Sequence, residues 1–281
     1  MTDSINHLAQ TIKAADAVAI FAGSGMSADS GLPVYRRNNQ TQKSYIEING
    51  KEIDYNNLTT PQAFKERPDE AWGVIAYMID IINQAKTHEG YSMLKELLYG
   101  KEYFVVTSNV DKQFHKAGFD GDSIYEIHGS VFYSQCTKHV DCGLWCTDDI
   151  DYDKKSILAQ YPYPVCPNCY SVCRPNVLLF DDDFFLDDIA TQQHHRYMEW
   201  KELVYNTCEN IIALEIGAGT QVPAIRNYAE RLVGNTFPLF RINLTECQVH
   251  QKNHFSVQGN ALDIIQKVFN HSANIQSAAP F

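Results

Sequence analysis

Four short, mostly apolar runs, each closing on a small or polar residue, constrain the fold more than any other feature of this chain. They are AVAIFAG at 17–23, YFVVTSN at 103–109, NIIALEIG at 210–217 and PLFRIN at 238–243. Runs of this kind are typical of strands buried on both faces of a parallel sheet. Helical patterns separate them, so the sequence predicts an α/β fold: an open, parallel, Rossmann-like sheet with helices on both faces.

Two stretches interrupt this alternation. Residues 38–90 contain polar turns and then a helical pattern around DEAWGVIAYMIDIINQAK, and residues 131–174 contain six of the eight cysteines. We interpret both as insertions that form a small domain, a helical insertion at 38–90 and a zinc-binding module at 131–174. The Rossmann-like domain then comprises residues 1–37, 91–130 and 175–281.

Composition excludes several classes of protein. The net charge is −11, from 23 Lys plus Arg against 34 Asp plus Glu, whereas a nucleic-acid binder usually carries a basic patch. The chain contains no apolar run of the roughly 18 residues that a membrane helix needs, and its N-terminus does not look like a secretory signal. Clustered cysteines without such a signal favour a metal site in a reducing compartment. We therefore expect a cytoplasmic protein that binds neither nucleic acid nor membrane.

The first strand runs directly into a glycine-rich turn. Gly23, Ser24 and Gly25 are followed by Ser27 near the expected start of a helix, an arrangement that suits phosphate binding because glycine lets the anion approach the backbone. The third glycine of the dinucleotide fingerprint is absent, since Ala28 stands there. A turn that is glycine-rich for steric reasons alone is the alternative.

Two further segments place polar groups beside this turn. The stiff GLPVYRR stretch offers Tyr35 and Arg36, which could cover the reactive end of a dinucleotide or simply form a surface loop. The second strand ends in Ser108, Asn109 and Asp111, where the carboxyl edge of a parallel sheet binds ligands. An ordinary turn would also explain these residues.

One histidine follows a short apolar stretch in EIHGSVF. His128 lies between Ile127 and Gly129, and a histidine facing a bound nucleotide could accept a proton near neutral pH. The alternative is a purely structural histidine.

The cysteine cluster predicts a tetrahedral, structural zinc. Cys166 and Cys169 form a CPNC knuckle, and the upstream stretch QCTKHVDCGLWC supplies further thiolate and imidazole groups at suitable spacing. The sequence leaves the complete ligand set open. The candidates beside the knuckle are Cys136, His139, Cys142 and Cys146.

The order of these motifs resembles one family, the sirtuins. GSGMSADSGLPVYR at 23–36 is similar to their Gly-Ala-Gly-Ile-Ser segment with its following Ser-Gly-Ile-Pro and Phe-Arg, and TSNVDKQFHKAG to their Thr-Gln-Asn-Ile-Asp segment. HGS at 128–130 is similar to their catalytic histidine motif, and CPNC followed by RPNVLLF to their second zinc pair. The resemblance runs from about residue 15 to 268. It implies an enzyme that consumes NAD as a co-substrate and holds a structural zinc.

The resemblance also implies roles for individual residues. It assigns the pyrophosphate to Gly23, Ser24, Gly25 and Ser27, and the nicotinamide ribose to Tyr35 and Arg36. It assigns the orientation of ribose and nicotinamide to Asn109 and Asp111, general base catalysis to His128, and cofactor binding to Ser108. The phosphates and ribose are assigned to Gly217 and Gly219, and the adenosine side to Asn243 and Asn260.

Three departures from the family pattern bear on the acceptor. Ser108 replaces the usual Gln, FDDD at 180–183 stands where Phe-Gly-Glu is common, and GAGTQVP at 217–223 replaces a Gly-Thr-Ser stretch. The stretches ALEIGAGTQVPAIRNY and KEYFVVTSNVD resemble the microbial branch associated with protein ADP-ribosylation, whereas the presence of His128 favours deacylation. We expect nicotinamide–ribose cleavage and transfer of ADP-ribose to a protein acceptor, by acyl-lysine deacylation or mono-ADP-ribosylation. An NAD hydrolase and a non-catalytic NAD sensor are the alternatives.

Overall fold

The computed structural model describes residues 2–34, 36–37, 44–48, 50–138, 140–147, 150–179 and 182–277. The chain forms two compact units. The first contains Met1–Gly31, Lys86–Ile127 and Ala190–Phe281, and the second contains Leu32–Ala85 and His128–Ile189. The predicted division placed residues 32–37, 128–130 and 175–189 in the sheet domain, whereas here they group with the second unit. It placed residues 86–90 in the helical insertion, whereas here they group with the first unit.

The strands fall at the apolar runs and at several places that the sequence did not mark. In chain order they are β1 (Ala17–Ala22), β2 (Arg36–Arg37), β3 (Ser44–Ile48), β4 (Lys51–Asp54), β5 (Glu102–Thr107), β6 (Ile124–Glu126), β7 (Gly129–Cys136), β8 (Leu144–Cys146), β9 (Tyr152–Asp153), β10 (Leu158–Ala159), β11 (Cys173–Val177), β12 (Ile211–Ile216), β13 (Leu239–Asn243) and β14 (His254–Gln258).

The helices separate these strands. In chain order they are α1 (Thr2–Ala14), α2 (Ser24–Ala28), α3 (Tyr55–Leu58), α4 (Pro61–Glu66), α5 (Pro68–Gln84), α6 (Glu89–Leu97), α7 (Gln113–Lys116), α8 (Asp188–Thr207), α9 (Ala224–Val233) and α10 (Ala261–Ser277). None of them, within the described part of the chain, combines the length and the apolar character that a bilayer crossing requires.

The first unit is built on a six-stranded sheet of order β14-β13-β12-β1-β5-β6. Each neighbouring pair is parallel, and every residue of β1 and β12 is buried, so the predicted parallel sheet is confirmed. The edge strands β6 and β14 were not predicted. β6 has only three residues, and β14 buries only His254 and Val257 of its five residues, so neither gives the continuous apolar signal of a central strand.

Helices cover both faces of this sheet. On one face, Leu8 of α1, Leu94 of α6 and Ile264 of α10 join a single apolar core with the inward side chains of the strands. On the other face, Phe104 of β5 packs against Tyr197 and Trp200 of α8 with ring centroids 5.5 and 5.6 Å apart. The predicted helices on both faces are therefore confirmed.

The second unit contains two antiparallel three-stranded sheets, β11-β7-β8 and β2-β3-β4, and the β9–β10 pair. The predicted helix near residues 69–86 is α5. The sequence indicated only polar turns before it, and the hairpin of β3 and β4 corrects that expectation. The strands of this hairpin have only five and four residues and include charged side chains, so they lack the continuous apolar run that marked the predicted strands.

Three glycines join two neighbouring strand ends in the first unit. The backbone N–H of Gly25 donates to the carbonyl of Gly217 at 3.0 Å, and the N–H of Gly23 donates to Ile216 at 3.0 Å. A Cβ on Gly25 would lie 2.6 Å from Cα of Gly217, closer than real Cβ atoms approach, and Gly217 also has φ +63°. The loops after β1 and β12 can therefore meet only as bare backbone.

Alanine substitutions separate two reasons why glycine is required here: the lack of space for a Cβ and the left-handed backbone conformation. We expect Gly25→Ala, which adds a clash at ordinary φ, to lower the free energy of unfolding by about 1–3 kcal/mol. Gly217→Ala should cost more because it adds left-handed strain to the clash. Gly100 is the matched control for strain alone, since it has φ +75° and a Cβ added there would meet no atom within 4 Å, and its replacement should cost about 1 kcal/mol. Urea unfolding measures all three, and equal losses at Gly100 and Gly217 would contradict the packing argument.

Candidate active site and metal centre

The predicted ligand-binding residues of the first unit gather at the carboxyl edge of its sheet. β5, β1 and β12 are parallel neighbours, so the loops that follow them meet at one edge. Thr107 ties two of these ends together, because its hydroxyl donates to the carbonyl of Ala22 at 3.0 Å. The structure thus brings together side chains that are more than 80 residues apart in sequence.

The Ser27 hydroxyl is the centre of a buried polar network at this edge. Ser27 is 2% exposed, and its Oγ lies 3.0 Å from the hydroxyl of Tyr91 and 3.0 Å from Nδ2 of Asn109. It is also hydrogen bonded to the carboxyl of Asp111. A hydroxyl has one proton and two acceptor positions, so the consistent arrangement has Ser27 donating to Asp111 and accepting from Tyr91 and Asn109.

The amide of Asn109 is held by protein acceptors. Nδ2 donates to Ser27 Oγ and to the carbonyl of Gly23 at 3.1 Å, and the backbone N–H donates to Thr107 at 3.0 Å. With both amide hydrogens engaged, the Asn109 side chain can act toward a ligand only as an acceptor through Oδ1. The geometry therefore suits a hydroxyl donor such as a ribose.

Asp111 is the buried acid of the same network. Burial raises the pKa of its carboxyl, and hydrogen bonds from Ser27 and from the backbone N–H of Gln113 act in the opposite direction. The Gln113 bond to Oδ1 is 3.0 Å long. Asp111 is thus oriented from two sides, and the predicted grouping of Asn109 with Asp111 at one strand end is present in the structure.

The predicted phosphate donors of the glycine turn are partly engaged within the protein. The N–H groups of Gly23 and Gly25 bond to carbonyls of the β12 end, and Ser27 is committed to the buried network. These two glycines therefore serve close packing in this structure, which is the steric alternative raised for the turn. Their assignment, with Ser24, to a pyrophosphate stays a prediction.

The predicted adenosine-side residues also make local bonds. Asn243 donates through Nδ2 to the carbonyl of Ala218 at 2.9 Å and so holds the loop that contains Gly217 and Gly219. Asn260 accepts from the backbone N–H of Asp263 at 2.9 Å, which caps the first turn of α10. Both asparagines therefore stabilise local backbone in the first unit, and their contact with a nucleotide stays a prediction.

Sequence reasoning missed Glu126, a second buried acid near this edge. Glu126 is 4% exposed, and burial raises its pKa to about 7, with Lys112 lowering it and Asp111 raising it further. Its Oε1 lies 3.9 Å from Nδ1 of His115. Its backbone N–H donates to Gln193 at 2.9 Å. No sequence motif marks it, and its neighbours His115 of α7 and Gln193 of α8 are brought beside it by the fold.

His128 belongs to the second unit and has a fixed backbone. Its carbonyl accepts from the N–H of Leu178 at 3.0 Å. The next residue, Gly129, has φ +73° and leaves no room for a Cβ beside the carbonyl of Asn176. The HGS motif therefore pins His128 to the end of β11, and its role as a base stays a prediction. Arg36 lies on β2 of the same unit, and Tyr35 lies outside the described residues.

Four cysteines of the second unit form a metal-binding cluster. The Sγ atoms of Cys136, Cys142, Cys166 and Cys169 all lie within 4.8 Å of one another, and those of Cys136 and Cys169 are 3.5 Å apart. Tetrahedral zinc with Zn–S bonds of about 2.3 Å needs thiolates at about this separation. The donor set therefore fits a structural zinc, and Cys142 supplies the fourth thiolate.

The other two candidate ligands, Cys146 and His139, are not among these four cysteines. Cys146 is exposed and is not part of the group of four, and His139 lies outside the described residues. Two hydrogen bonds position the loops of the cluster. The backbone N–H of Lys138 donates to Sγ of Cys136 at 3.3 Å, and Nδ2 of Asn168 donates to the carbonyl of Cys142 at 3.0 Å. The side chain between the two knuckle cysteines thus positions the loop that presents Cys142.

Comparison with known proteins assigns the family. The model of the Sir2 family matches residues 23–222. A Clostridium perfringens NAD-dependent protein deacetylase is 29% identical over 188 residues, 67% of this chain and 70% of its own. A Thermococcus sibiricus NAD-dependent protein deacylase is 27% identical over 253 residues, 88% of each chain.

Solved structures agree on the fold. A Sir2 homologue in complex with NAD superposes with a TM-score of 0.71 at 19% identity, covering 96% of this chain and 94% of its own. With the family match extending over most of the chain, this protein belongs to the Sir2 family, the sirtuins. The predicted family resemblance is confirmed, while the link to the ADP-ribosylating branch stays a prediction.

The cysteine assignment predicts a sharp difference between two neighbouring thiols. We expect the wild-type chain to contain about one zinc per chain and Cys142→Ser to lose it, because three thiolates leave an incomplete tetrahedral site. Cys146→Ser is the matched control and should keep the metal. Elemental analysis of the purified proteins measures both, and zinc loss in the Cys146 variant alone would refute the assignment.

Glu126 predicts a pH dependence of stability. Burial raises the pKa of the folded-state Glu126 carboxyl from 4.5 to about 7. The stability that protonated Glu126 gives the folded state is therefore fully present below pH 4.5 and is lost as the pH rises through 7, because the buried carboxyl must then ionise. Glu126→Gln cannot ionise, so it should gain up to about 3 kcal/mol relative to wild type between pH 4.5 and 8. Exposed Glu102 supplies the control, Glu102→Gln. A pH-independent difference between Glu126→Gln and wild type in urea unfolding would contradict the prediction.

Proposed function

We propose that this sirtuin is an NAD-dependent protein deacylase. The network of Ser27, Asn109 and Asp111 at the carboxyl edge of the parallel sheet carries the proposal. It lies in the region matched by the Sir2 family model, and the relatives named above are NAD-dependent protein deacetylases or deacylases. The substrates would be NAD and an acyl-lysine side chain of a protein.

The first unit would supply the groups that position NAD. The glycine turn and the loop of Gly217 and Gly219 would lie along the nucleotide at the edge where parallel sheets bind it, with Gly23 and Gly25 keeping the two loops in contact. Asn109, restricted to accepting, would take a hydrogen bond from a ribose hydroxyl. Asp111, oriented by Ser27 and Gln113, would place a carboxyl near the charge that develops as nicotinamide departs.

The reaction balances with water as the third reactant. The nicotinamide–ribose bond breaks, the acyl carbonyl oxygen bonds to the anomeric carbon, and nicotinamide leaves with the bonding electrons. His128 would then remove a proton from a ribose hydroxyl so that this oxygen attacks the acyl carbon. Water completes the release of the lysine amine, and the products are nicotinamide, deacylated lysine and O-acyl-ADP-ribose.

The zinc would act only on structure. Cys136, Cys142, Cys166 and Cys169 would hold it, and when bound it supplies a crosslink between the two arms of the module. No ligand position of this four-thiolate set is left for a substrate.

Mono-ADP-ribosylation is a second candidate function. The substitution of Ser108 for Gln and the acidic stretch at 180–183 favour it, since both change the family pattern on the acceptor side. Phe180 and Asp181 of that stretch lie outside the described residues. In this reaction another protein side chain, in place of the acyl oxygen, would take the anomeric carbon.

Nicotinamide release from NAD tests the proposal in three reactions: protein alone, protein with acyl-lysine peptides, and protein with a cell lysate. Release that depends on the acyl peptide, together with O-acyl-ADP-ribose, supports deacylation. A mass gain of one ADP-ribose on a lysate protein supports the second candidate. Equal release in all three reactions indicates a hydrolase, and no release with tight NAD binding indicates a sensor.

His128→Ala tests the base. We expect product formation to fall by about 100-fold or more, the range typical of a lost general base, while NAD binding stays unchanged. His195→Ala, on the exposed face of α8, is the control and should keep full activity. Wild-type turnover in the His128 variant would remove this residue from the mechanism.

A further inference from the structure

A fully buried ion pair lies in the second unit beside the segment that carries His128. Arg174 Nη1 is 2.7 Å from Oδ2 of Asp182, and their side chains are 1% and 0% exposed. Arg174 Nη2 donates to Oδ1 at 2.8 Å, so the pair is bidentate. Asp182 is the third residue of the FDDD stretch that departs from the family pattern.

The Asp182 carboxylate also binds the backbone around it. It accepts from the N–H of Leu179 at 3.3 Å and from the N–H of Phe184 at 3.1 Å, and Arg174 donates to the carbonyl of Val177 at 3.3 Å. We call residues 178–179 and 182–186 the post-strand segment, because they follow β11. One carboxylate therefore fixes this segment at two points.

A second set of bonds fastens the far end of the post-strand segment. Asn176 donates through Nδ2 to Gln135 at 2.9 Å and to the carbonyl of Leu186 at 2.8 Å. Gln135 donates to the carbonyl of Phe184 at 2.7 Å and accepts from the N–H of Leu186 at 3.2 Å. Both side chains are almost completely buried, so the segment is held to β7 and β11 along its described length.

The post-strand segment is hydrogen bonded directly to the backbone of His128. The N–H of Leu178 donates to the carbonyl of His128 at 3.0 Å, one residue before Leu179, whose own N–H is held by Asp182. Movement of the post-strand segment would therefore be transmitted to the His128 backbone. The next residue, Gly129, packs against the carbonyl of Asn176 without space for a Cβ, so β11 also fixes the backbone that follows His128.

Stability alone does not account for such a pair. Removing two charges from water costs more than their attraction usually returns, and apolar side chains of similar volume often replace a buried pair without loss. What apolar residues cannot replace is the directional bonding to Leu179, Phe184 and Val177. The ion pair thus fixes the position of the backbone groups to which it is hydrogen bonded.

We propose that Arg174 and Asp182 are positioning residues that hold the post-strand segment and, through Leu178, the backbone of His128. Neither residue is assigned a contact with substrate. The proposal rests on the deacylase function proposed above, because His128 is the base of that reaction. It also gives the FDDD stretch a role compatible with deacylation, since its third residue locks the segment in place.

Asp182→Asn tests the proposal with matched controls. It keeps the shape of the side chain and leaves Arg174 without its counter-charge, so we expect kcat for deacylation to fall by about 10- to 100-fold, the cost of a misplacement of about 1 Å. The KM for NAD and the zinc content should stay unchanged. Asp183→Asn alters the adjacent, exposed carboxylate and should behave as wild type.

A charge-free variant separates positioning from folding. Arg174→Met with Asp182→Leu removes both charges and should restore most of the stability that Asp182→Asn loses, while kcat stays low because the bonds to Leu179 and Phe184 are gone. Recovery of wild-type kcat in this double variant would overturn the proposal, as would wild-type kcat in Asp182→Asn.

Hydrogen exchange gives a readout independent of turnover. We expect the amide of Leu178, whose acceptor is the His128 carbonyl, to exchange faster in Asp182→Asn and not in Asp183→Asn. If wild-type protein fails to deacylate any peptide, the proposed function has failed. The exchange measurement still decides the positioning claim, because unchanged protection of Leu178 in Asp182→Asn overturns it.

Discussion

The contact between the glycine turn and the end of β12 is the constraint on which the first unit depends. Gly25 and Gly217 meet as bare backbone, with an N–H to carbonyl bond of 3.0 Å, and a Cβ on either would collide with the other. This contact fixes where α2 begins and therefore where Ser27 enters the sheet edge. The orientation of Asn109 and Asp111 follows from Ser27.

The two units fix their functional groups by different means. In the first, hydroxyl, amide and carboxyl groups orient one another in a buried network, and burial shifts the pKa values of Asp111 and Glu126 upward. In the second, four thiolates and one buried ion pair hold irregular backbone that has little apolar periodicity of its own. Metal ligands and charge pairs suit such a segment because a few strong, directional bonds can replace an extended core.

Much of the fold could be predicted from the sequence, and the misses have physical reasons. The four central strands follow from continuous apolar runs, since a strand buried on both faces leaves that record in its own residues. The hairpin of β3 and β4 and the edge strands β6 and β14 leave none, because they are short, polar or exposed on one side. In the candidate site, the motifs indicated Asn109, Asp111 and His128, whereas Tyr91 and Glu126 carried no local signal.

The sequence by itself determined the parallel sheet, the family and the chemical types at the site, because these depend on residues adjacent in the chain. Tertiary structure decided which cysteine joins the cluster, since Cys142 and Cys146 offer the same thiol and differ only in position. It also decided that Asp182 pairs with Arg174 and that Glu126 is buried beside His115. Burial and pairing are set by how the fold brings side chains together. Arg174 and Asp182 are only eight residues apart in sequence, yet no motif of that stretch specifies that the two side chains meet in a buried pair.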